Sequence, residues 1–494
     1  MEKSEVISIA ELMALSGVGF GTSGARGLAT AMTDRVCFAY TTGFLQYLEK
    51  QGQILPGDQV LVGGDLRPST PRIMAACMCA IRKLGYEPVN GGLVPSPALA
   101  NEGLRRRIAS LMVTGSHIPD DRNGIKFNRP DGEVLKSDEA GIRQQRVQIP
   151  VGLFDETGAC TRPGPGPVVD PGIGRRYVNR YLAFFEPNCL AGSRVLLYEH
   201  SSVAAQVIKQ ILGGLGAEVQ GVGHSEVFVP VDTEAVRPED IALASQWAEE
   251  HDFDLIVSTD GDGDRPLIGD ERGSWLRGDV LGVLVAHYLD ADAVVTPVSS
   301  NSLLELSNWF ERVERTRIGS PYVIEGMQKV SQQGAQRVVG YEANGGFLTF
   351  DEVLEHGRVL PALPTRDAVL VAIAVLLLAR RQGVPVSRLL KPLPPRFTAS
   401  DRLKAFPTDL SRERIAQLRE GGAALMAETF RGLGGVTKID QTDGLRMHFE
   451  NGEVVHLRPS GNAPELRCYN EAASAQRAAE LNRECLAILE RWRG

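Results

Sequence analysis

Cysteine is scarce in this chain. Its seven copies (Cys37, Cys77, Cys79, Cys160, Cys189, Cys468 and Cys485) fall at no disulfide- or metal-forming spacing. That excludes a disulfide scaffold and a cysteine-based metal site as the basis of the fold, and reduced thiols in a cytoplasmic protein are the expectation. Positive charge is not in excess either. Lys and Arg number 53 against 61 Asp and Glu, a net charge of −8, so the chain lacks the basic footprint of a nucleic-acid binder. Any anion must then be gripped by local cations rather than by the overall field. Long apolar runs are missing too. The most apolar stretch, AVLVAIAVLLLA at 368–379, falls well short of the roughly 20 residues needed to span a bilayer and is expected to form a buried helix, with no membrane partner. The opening residues, MEKSEVISIAELMALSG, carry acids near the start and no apolar segment, so no secretory signal is expected.

What the chain does have is length and rhythm. Its 494 residues are several times a typical domain of roughly 100–150 residues, which predicts three or four domains. With 43% hydrophobic and 23% charged residues, each domain can build its own core. Apolar strand-like runs alternate with longer amphipathic runs: VLVGG (60–64) then PRIMAACMCAIRKLG (71–85), and RVLLYEH (194–200) then AAQVIKQILGGLGA (204–217). DLIVSTD (254–260), AVVTPV (293–298) and RVVGYE (337–342) read as further strands. Such alternation predicts α/β layers with largely parallel sheets. The rhythm returns about every 110–130 residues, which predicts three similar units. Pro/Gly-rich linkers are expected at 162–172 and 384–397. After the second linker, two helical stretches enclose short alternating strands, a smaller α+β domain.

Several short segments carry chemistry. Asp260-Gly261-Asp262-Gly263-Asp264-Arg265 sets three carboxylates at alternate positions, where they can converge on one hard cation while glycines let the backbone fold round it. An EF-hand is the tempting rival, since Glu271 occupies its twelfth place, but Arg265 stands where that loop needs glycine and the preceding DLIVST is strand-like. A cation site at the carboxyl end of a strand is preferred. Thr114-Gly115-Ser116-His117-Ile118-Pro119, with Asn123-Gly124-Ile125-Lys126 beyond it, places a serine at a strand exit beside a histidine and near a lysine, a pattern for a nucleophile or phosphoryl carrier. No G-x-S-x-G elbow surrounds Ser116, so a serine protease triad is not supported. Gly17 to Gly27 contains a literal G-x-G-x-x-G, but the preceding IAELMALS looks helical, which removes the strand context of a dinucleotide site. Arg26 in that loop is better read as an anion ligand. GYEANGG (340–346) offers Glu342 and Asn344 on a turn suited to sugar hydroxyls, and RPSGNAP (458–464) offers Arg458, Ser460 and Asn462 as a phosphate cradle. Each segment alone could be an ordinary turn.

Taken together and in order, these segments resemble the α-D-phosphohexomutase superfamily, which includes phosphoglucomutases, phosphomannomutases and phosphoglucosamine mutases. The family's T-A-S-H-N-P and N-G-x-K appear as TGSHIP and NGIK, D-G-D-x-D-R as DGDGDR, G-E-x-S-G as GYEANGG, and R-P-S-G-T-E-P as RPSGNAP. GGDLRPST (63–70) and GLVPSPALA (92–100) match its first domain.

The resemblance implies three similar α/β domains with mixed sheets plus a smaller C-terminal α+β domain around a central cleft. Their expected spans are 1–165 with the phosphoserine loop, 166–272 with the metal loop, 273–385 with the sugar loop, and 386–494 with the phosphate-binding loop. It implies that Ser116 carries a phosphoryl group, and that Asp260, Asp262 and Asp264, with an oxygen on Ser116, hold one Mg²⁺. Lys126 and Arg26 would assist proton transfer and charge neutralisation. His117 would support the serine loop, and Arg265 would lie near the transferring group. Glu342 and Asn344 would grip the sugar, while Arg458, Ser460 and Asn462 would clamp its other phosphate. The implied reaction interconverts hexose 1-phosphate and hexose 6-phosphate through a hexose 1,6-bisphosphate. Ile118, Asn344, Asn462 and Ala463 depart from the family pattern, which leaves the chemistry intact and the sugar open. Mannose phosphate is favoured, because GYEANGG lacks the G-E-Q-S-G-H of glucosamine mutases; glucose or glucosamine phosphate, and a sugar-phosphate-binding pseudoenzyme, are the alternatives.

Overall fold

The computed structural model describes residues 4–21, 24–162, 164, 166–460 and 464–493. It contains four main sheets. The first is built on the strands Gln59–Gly64, Glu87–Leu93, Ser110–Val113 and Arg122–Arg129, extended by Ala25–Leu28 and Gly19–Phe20. The second orders Glu218–His224, Arg194–His200, Leu255–Thr259 and Pro266–Asp270 side by side, and the third orders Arg312–Thr316, Ala293–Pro297, Val338–Tyr341 and Phe347–Thr349. The fourth is five-stranded and wholly antiparallel. The expected α/β architecture with a distinct α+β end is therefore observed, although each of the first three sheets mixes parallel and antiparallel pairs.

The first three sheets share one local pattern. In each, a central strand pairs parallel with one neighbour, leaves through a loop and returns as an antiparallel strand. Ser110–Val113 lies parallel to Gln59–Gly64 and antiparallel to Arg122–Arg129. Leu255–Thr259 does the same between Arg194–His200 and Pro266–Asp270, and Val338–Tyr341 between Ala293–Pro297 and Phe347–Thr349. The serine, acidic and sugar-type loops occupy this same place in three successive sheets, each at the carboxyl end of its central strand.

Hydrophobic patterning explains the layers. The central strands read SLMV, LIVST and VVGY and are buried along their whole length, as expected of strands covered on both faces. The apolar run at 368–379 is a buried helix, Ala368–Gln382, started by the Asp367 side chain and ended at Gly383. It packs with the helix Gly278–Tyr288 in one continuous core that joins the second and third sheets. The first and fourth sheets have cores of their own. IAELMALS forms the helix Ile9–Ser16, with a Ser8/Glu11 capping box, so the glycine-rich stretch that follows does not open a dinucleotide-binding helix. Among the described residues, no helix is long and apolar enough to cross a membrane.

Candidate active site

The serine loop is held from behind by Arg67. Its guanidinium donates to the backbone carbonyls of Ser116 (2.8 Å), Ile118 (2.6 Å), Pro119 (2.7 Å) and Arg122 (3.0 Å) and pairs with Asp65 at 3.2 Å, both side chains fully buried. Asp65 also accepts from Thr70 and Thr114, each at 2.7 Å, and Thr114 Oγ1 in turn accepts the Ser116 N–H at 2.7 Å. The loop has no regular ladder to satisfy its carbonyls, so one five-donor side chain does so. Ser116 itself sits in left-handed backbone at φ 57 and is 1% exposed, an uncommon conformation for a non-glycine residue.

The acidic loop meets the serine directly. Ser116 Oγ donates to Asp260 Oδ2 at 2.5 Å, across 144 residues of sequence. A Cβ at Gly261 would lie 2.9 Å from the Ser116 carbonyl, so the approach of the two loops needs glycine there. Asp260, Asp262 and Asp264 are all buried, and one oxygen from each lies within 4.8 Å of the others. Lys126 Nζ donates to Asp262 Oδ2 and Asp264 Oδ2, both at 2.6 Å, and Ser96 Oγ donates to Asp262 Oδ2 at 2.5 Å. Asp262 Oδ1 and Asp264 Oδ1 are buried without a hydrogen-bond partner.

This cluster fits a divalent cation. Burial, together with Asp262 and Asp264, pushes the Asp260 carboxyl well above the usual range. Burial would do the same to Asp262, but Lys126 outweighs it and holds that group below its ordinary value. A hard cation is what keeps three such carboxylates ionised together. Two carboxylate oxygens beside Asp260 that make no hydrogen bond are the hard donors that Mg²⁺ takes.

The cations around the cluster are in place. Burial alone would lower the Lys126 pKa, but Asp262 and Asp264 raise it, so its ammonium is charged. Arg265 Nη1 lies 2.9 Å from His117 Nδ1, and that nitrogen lies 3.2 Å from Ser116 Oγ. Burial, then the Arg265 charge, drive His117 down to about 2. The ring is neutral, with Nδ1 assigned as an acceptor from its contact with Arg265. Arg26 sits opposite Gly124, one strand from Lys126; burial, then Arg265, lower its pKa to about 10.

The sugar-type loop joins through a residue that sequence reasoning missed. Arg366 donates to Asp264 Oδ2 through Nε at 3.0 Å and to Glu342 Oε2 through Nη1 at 3.1 Å. Arg67 and Ser96 were also missed as functional residues. The signal for Arg366 was a charged Arg-Asp pair heading an otherwise apolar helix; Arg67 and Ser96 stood unassigned inside GGDLRPST and GLVPSPALA. Asn344 reaches this region but is turned on its own backbone: its Oδ1 accepts the Gly346 N–H at 2.9 Å, and its carbonyl accepts Thr233 Oγ1 at 2.7 Å.

Arg458 and Ser460 stand apart from this cluster. Arg458 pairs with Asp443 at 3.0 Å and lies opposite Arg467 on the neighbouring strand. Ser460 is buried. Asn462 lies outside the described residues. The link to the acidic loop is electrostatic: Glu234 lies within reach of Arg277 and Arg265, and also of Arg467 and Tyr469.

The similarity to known proteins extends over nearly the whole chain. The family models for phosphoglucomutase/phosphomannomutase alpha/beta/alpha domains I, II and III match residues 17–148, 175–273 and 277–397, and the C-terminal domain model matches 408–488. The chain is 44% identical over 473 residues to a phosphomannomutase of Sinorhizobium fredii, covering 96% of this chain and 99% of that one. It is 42% identical over 470 residues to a phosphomannomutase of Salmonella muenchen, covering 94% of each. A crystal structure of a phosphoglucomutase/phosphomannomutase family protein from Burkholderia thailandensis superposes with a TM-score of 0.72 at 19% identity, over 99% of this chain and 98% of that one. Four domain matches in sequence, a serine in contact with a buried acidic triplet, and full-length relatives lead to one conclusion: the chain belongs to the phosphoglucomutase/phosphomannomutase family.

Proposed function

We propose that the protein interconverts hexose 1-phosphate and hexose 6-phosphate, with mannose phosphate as the preferred substrate and Ser116 as the phosphoryl carrier. The observation that carries this reading is the 2.5 Å contact between Ser116 Oγ and Asp260 Oδ2 inside a buried acidic triplet. The preference for mannose is supported by the 44% and 42% identities to phosphomannomutases. The division of labour follows the segments 1–165, 166–272, 273–385 and 386–494.

Phosphoryl transfer is chiefly positioning and electrostatic stabilisation, and the chain's residues take those roles. In the first transfer a hydroxyl of the bound sugar phosphate attacks the phosphorus on Ser116. The P–Oγ bond breaks, and the net proton passes from that hydroxyl to Oγ. Lys126, charged and facing the triplet, and Arg26 neutralise the charge that builds there and assist the proton. Neutral His117 accepts from Arg265 and fixes its guanidinium beside the serine. The hexose 1,6-bisphosphate then turns round, and its other phosphoryl returns to Ser116. Glu342 holds sugar hydroxyls, with the Asn344 amide nitrogen beside it. Arg458, Ser460 and Asn462 clamp the phosphate that is not reacting. Asp260, Asp262 and Asp264 would hold Mg²⁺, which supplies Lewis-acid polarisation and offsets repulsion between phosphoserine and an anionic sugar.

The test is a parallel assay of mannose-, glucose- and glucosamine-1-phosphate with Mg²⁺ and a trace of hexose 1,6-bisphosphate. Formation of the 6-phosphate, fastest from mannose, is expected. Free phosphate without isomer would make the protein a phosphatase, and tight binding without turnover would make it a sugar-phosphate sensor.

A further inference from the structure

Three consecutive residues ahead of the helix Ala368–Gln382 each reach a different part of the molecule. Thr365 Oγ1 donates to Glu133 Oε1 of the first sheet at 2.6 Å, and the same carboxylate accepts Ser320 Oγ at 2.9 Å. Asp367 accepts Tyr177 OH at 2.8 Å and also Tyr181 OH, while capping its own helix at Val369 N. Arg366, between them, bridges the acidic loop and the sugar-type loop. All three are more than nine-tenths buried. Neighbours clamped on both sides leave the Arg366 backbone little freedom. Its side-chain stem lies against bare backbone as well: a Cβ at Gly346 would fall 2.5 Å from Arg366 Cδ.

The hydrogen bonding of Arg366 divides each carboxylate it touches. Asp264 Oδ2 is taken up by Arg366 Nε and Nη2, at 3.0 and 2.9 Å, and by Lys126 Nζ. Asp264 Oδ1 is left buried without a hydrogen bond, its nearest cation being Arg265 Nε at 3.9 Å, and Asp262 Oδ1 in the same triplet also makes no hydrogen bond. Glu342 Oε2 is likewise taken up by Arg366 Nη1, and among the described residues Glu342 Oε1 makes no hydrogen bond. Planar, five-donor geometry allows one guanidinium to do this for two carboxylates at once; an ammonium on a flexible stem does not hold both in fixed orientations.

We propose that Arg366 is a positioning residue that couples cation binding to sugar binding: by holding one oxygen of Asp264 and one of Glu342, it presents the other oxygen of Asp264 to the divalent cation and the other oxygen of Glu342 to the sugar. The proposal rests on the phosphohexomutase reading for the identity of the sugar, but its cation half does not. Outer partners that orient a metal ligand commonly change affinity 10- to 100-fold when removed. Because one group orients both ligands, cation and sugar phosphate should tighten each other's binding, and by reciprocity the factor is the same in both directions.

The experiment uses the full chain. Mg²⁺ binding is measured by calorimetry without substrate for the wild type, Arg366→Lys, Arg366→Met and Glu342→Gln. KM and kcat for the hexose 1-phosphates are measured separately, and thermal melting reports folding. Both Arg366 variants are expected to bind Mg²⁺ at least tenfold more weakly and to raise KM more than they lower kcat. Glu342→Gln should raise KM while leaving Mg²⁺ affinity within about twofold. The double variant Glu342→Gln/Arg366→Lys should have nearly the KM of the weaker single variant, since both act through one carboxylate. If Arg366→Met does not fold, Arg366→Lys and Glu342→Gln carry the comparison. Wild-type Mg²⁺ affinity in a folded Arg366 variant would overturn the proposal, and so would KM effects that simply add. Failure of the wild type to isomerise any hexose phosphate would instead overturn the proposed function, while the calorimetry still decides the role of Arg366 at the cation site.

Discussion

At the scale of single residues, the site is a balance of buried charge. Asp260, Asp262, Asp264 and Glu342 face Lys126, Arg265 and Arg366, and none of these side chains is more than 14% exposed. Removing one partner from such a set leaves an uncompensated charge, which costs more than the pair contributes. Ser116 is different, because neighbours hold its backbone independently of its side-chain contact with Asp260: Arg67 grips the carbonyl and Thr114 the N–H. Ser116→Ala should therefore keep the fold, with melting within a few degrees of wild type, and, on the proposal that Ser116 is the covalent carrier, lose turnover by a factor on the order of 10³ or more. Intact-mass spectrometry gives an independent check, since a species heavier by about 80 Da should be present in the wild type and absent from the variant.

At the scale of elements, three loops stand in equivalent sheet positions, and the proposed function gives each a different task. The helix Gly278–Tyr288 begins against the sugar-type loop. A Cβ at Gly278 would lie 2.1 Å from Gly345 N and 2.4 Å from the Asn344 carbonyl carbon. These are backbone atoms, so the loop itself must move. Gly278→Ala is expected to destabilise the protein by about 1–3 kcal/mol, the usual cost of overpacking. It should also raise KM about tenfold with a smaller change in kcat, because Glu342 and not Ser116 is displaced. Steady-state kinetics and a denaturant titration check both parts.

At the scale of the whole molecule, a buried carboxylate of the fourth sheet reaches the segment that follows the strand Ala293–Pro297 of the third. Glu471 accepts from Ser302 N at 2.9 Å and Ser302 Oγ at 2.7 Å, and pairs with Arg446 at 2.5 Å. Burial alone would raise the Glu471 carboxyl, but Arg446 and Ser302 outweigh it and bring it to about 2, against an ordinary 4.5. The folded value lies below the unfolded one, so this contact contributes its full stability above about pH 4.5 and loses it as pH falls toward 2. The melting temperature of Glu471→Gln should fall less steeply than that of the wild type between about pH 4.5 and pH 3. Parallel slopes in thermal scans across that range would show that Glu471 does not set the acid response.

How much of this was legible in the chain depended on how local each feature is. DGDGDR pointed to a candidate cation site because three carboxylates sit within five residues, and TGSHIP pointed to a serine at a strand exit. The strands RVLLYEH and DLIVSTD and the buried helix at 368–379 were visible because hydrophobic period and length are local properties. Arg366 was not visible: its partners Asp264 and Glu342 lie 102 and 24 residues away, and an arginine before an apolar helix has many uses. Nor could the sequence say that Asn344 spends its Oδ1 on its own turn. The sequence by itself determined which residue types were available and on which strand ends they would stand. Only the tertiary structure decided that the ends of three separate strands meet, that Ser116 touches Asp260 across 144 residues, and that one arginine ties two loops together. Folding removes water from all of these charges at once, and which of them then pair is fixed by distance in space rather than along the chain.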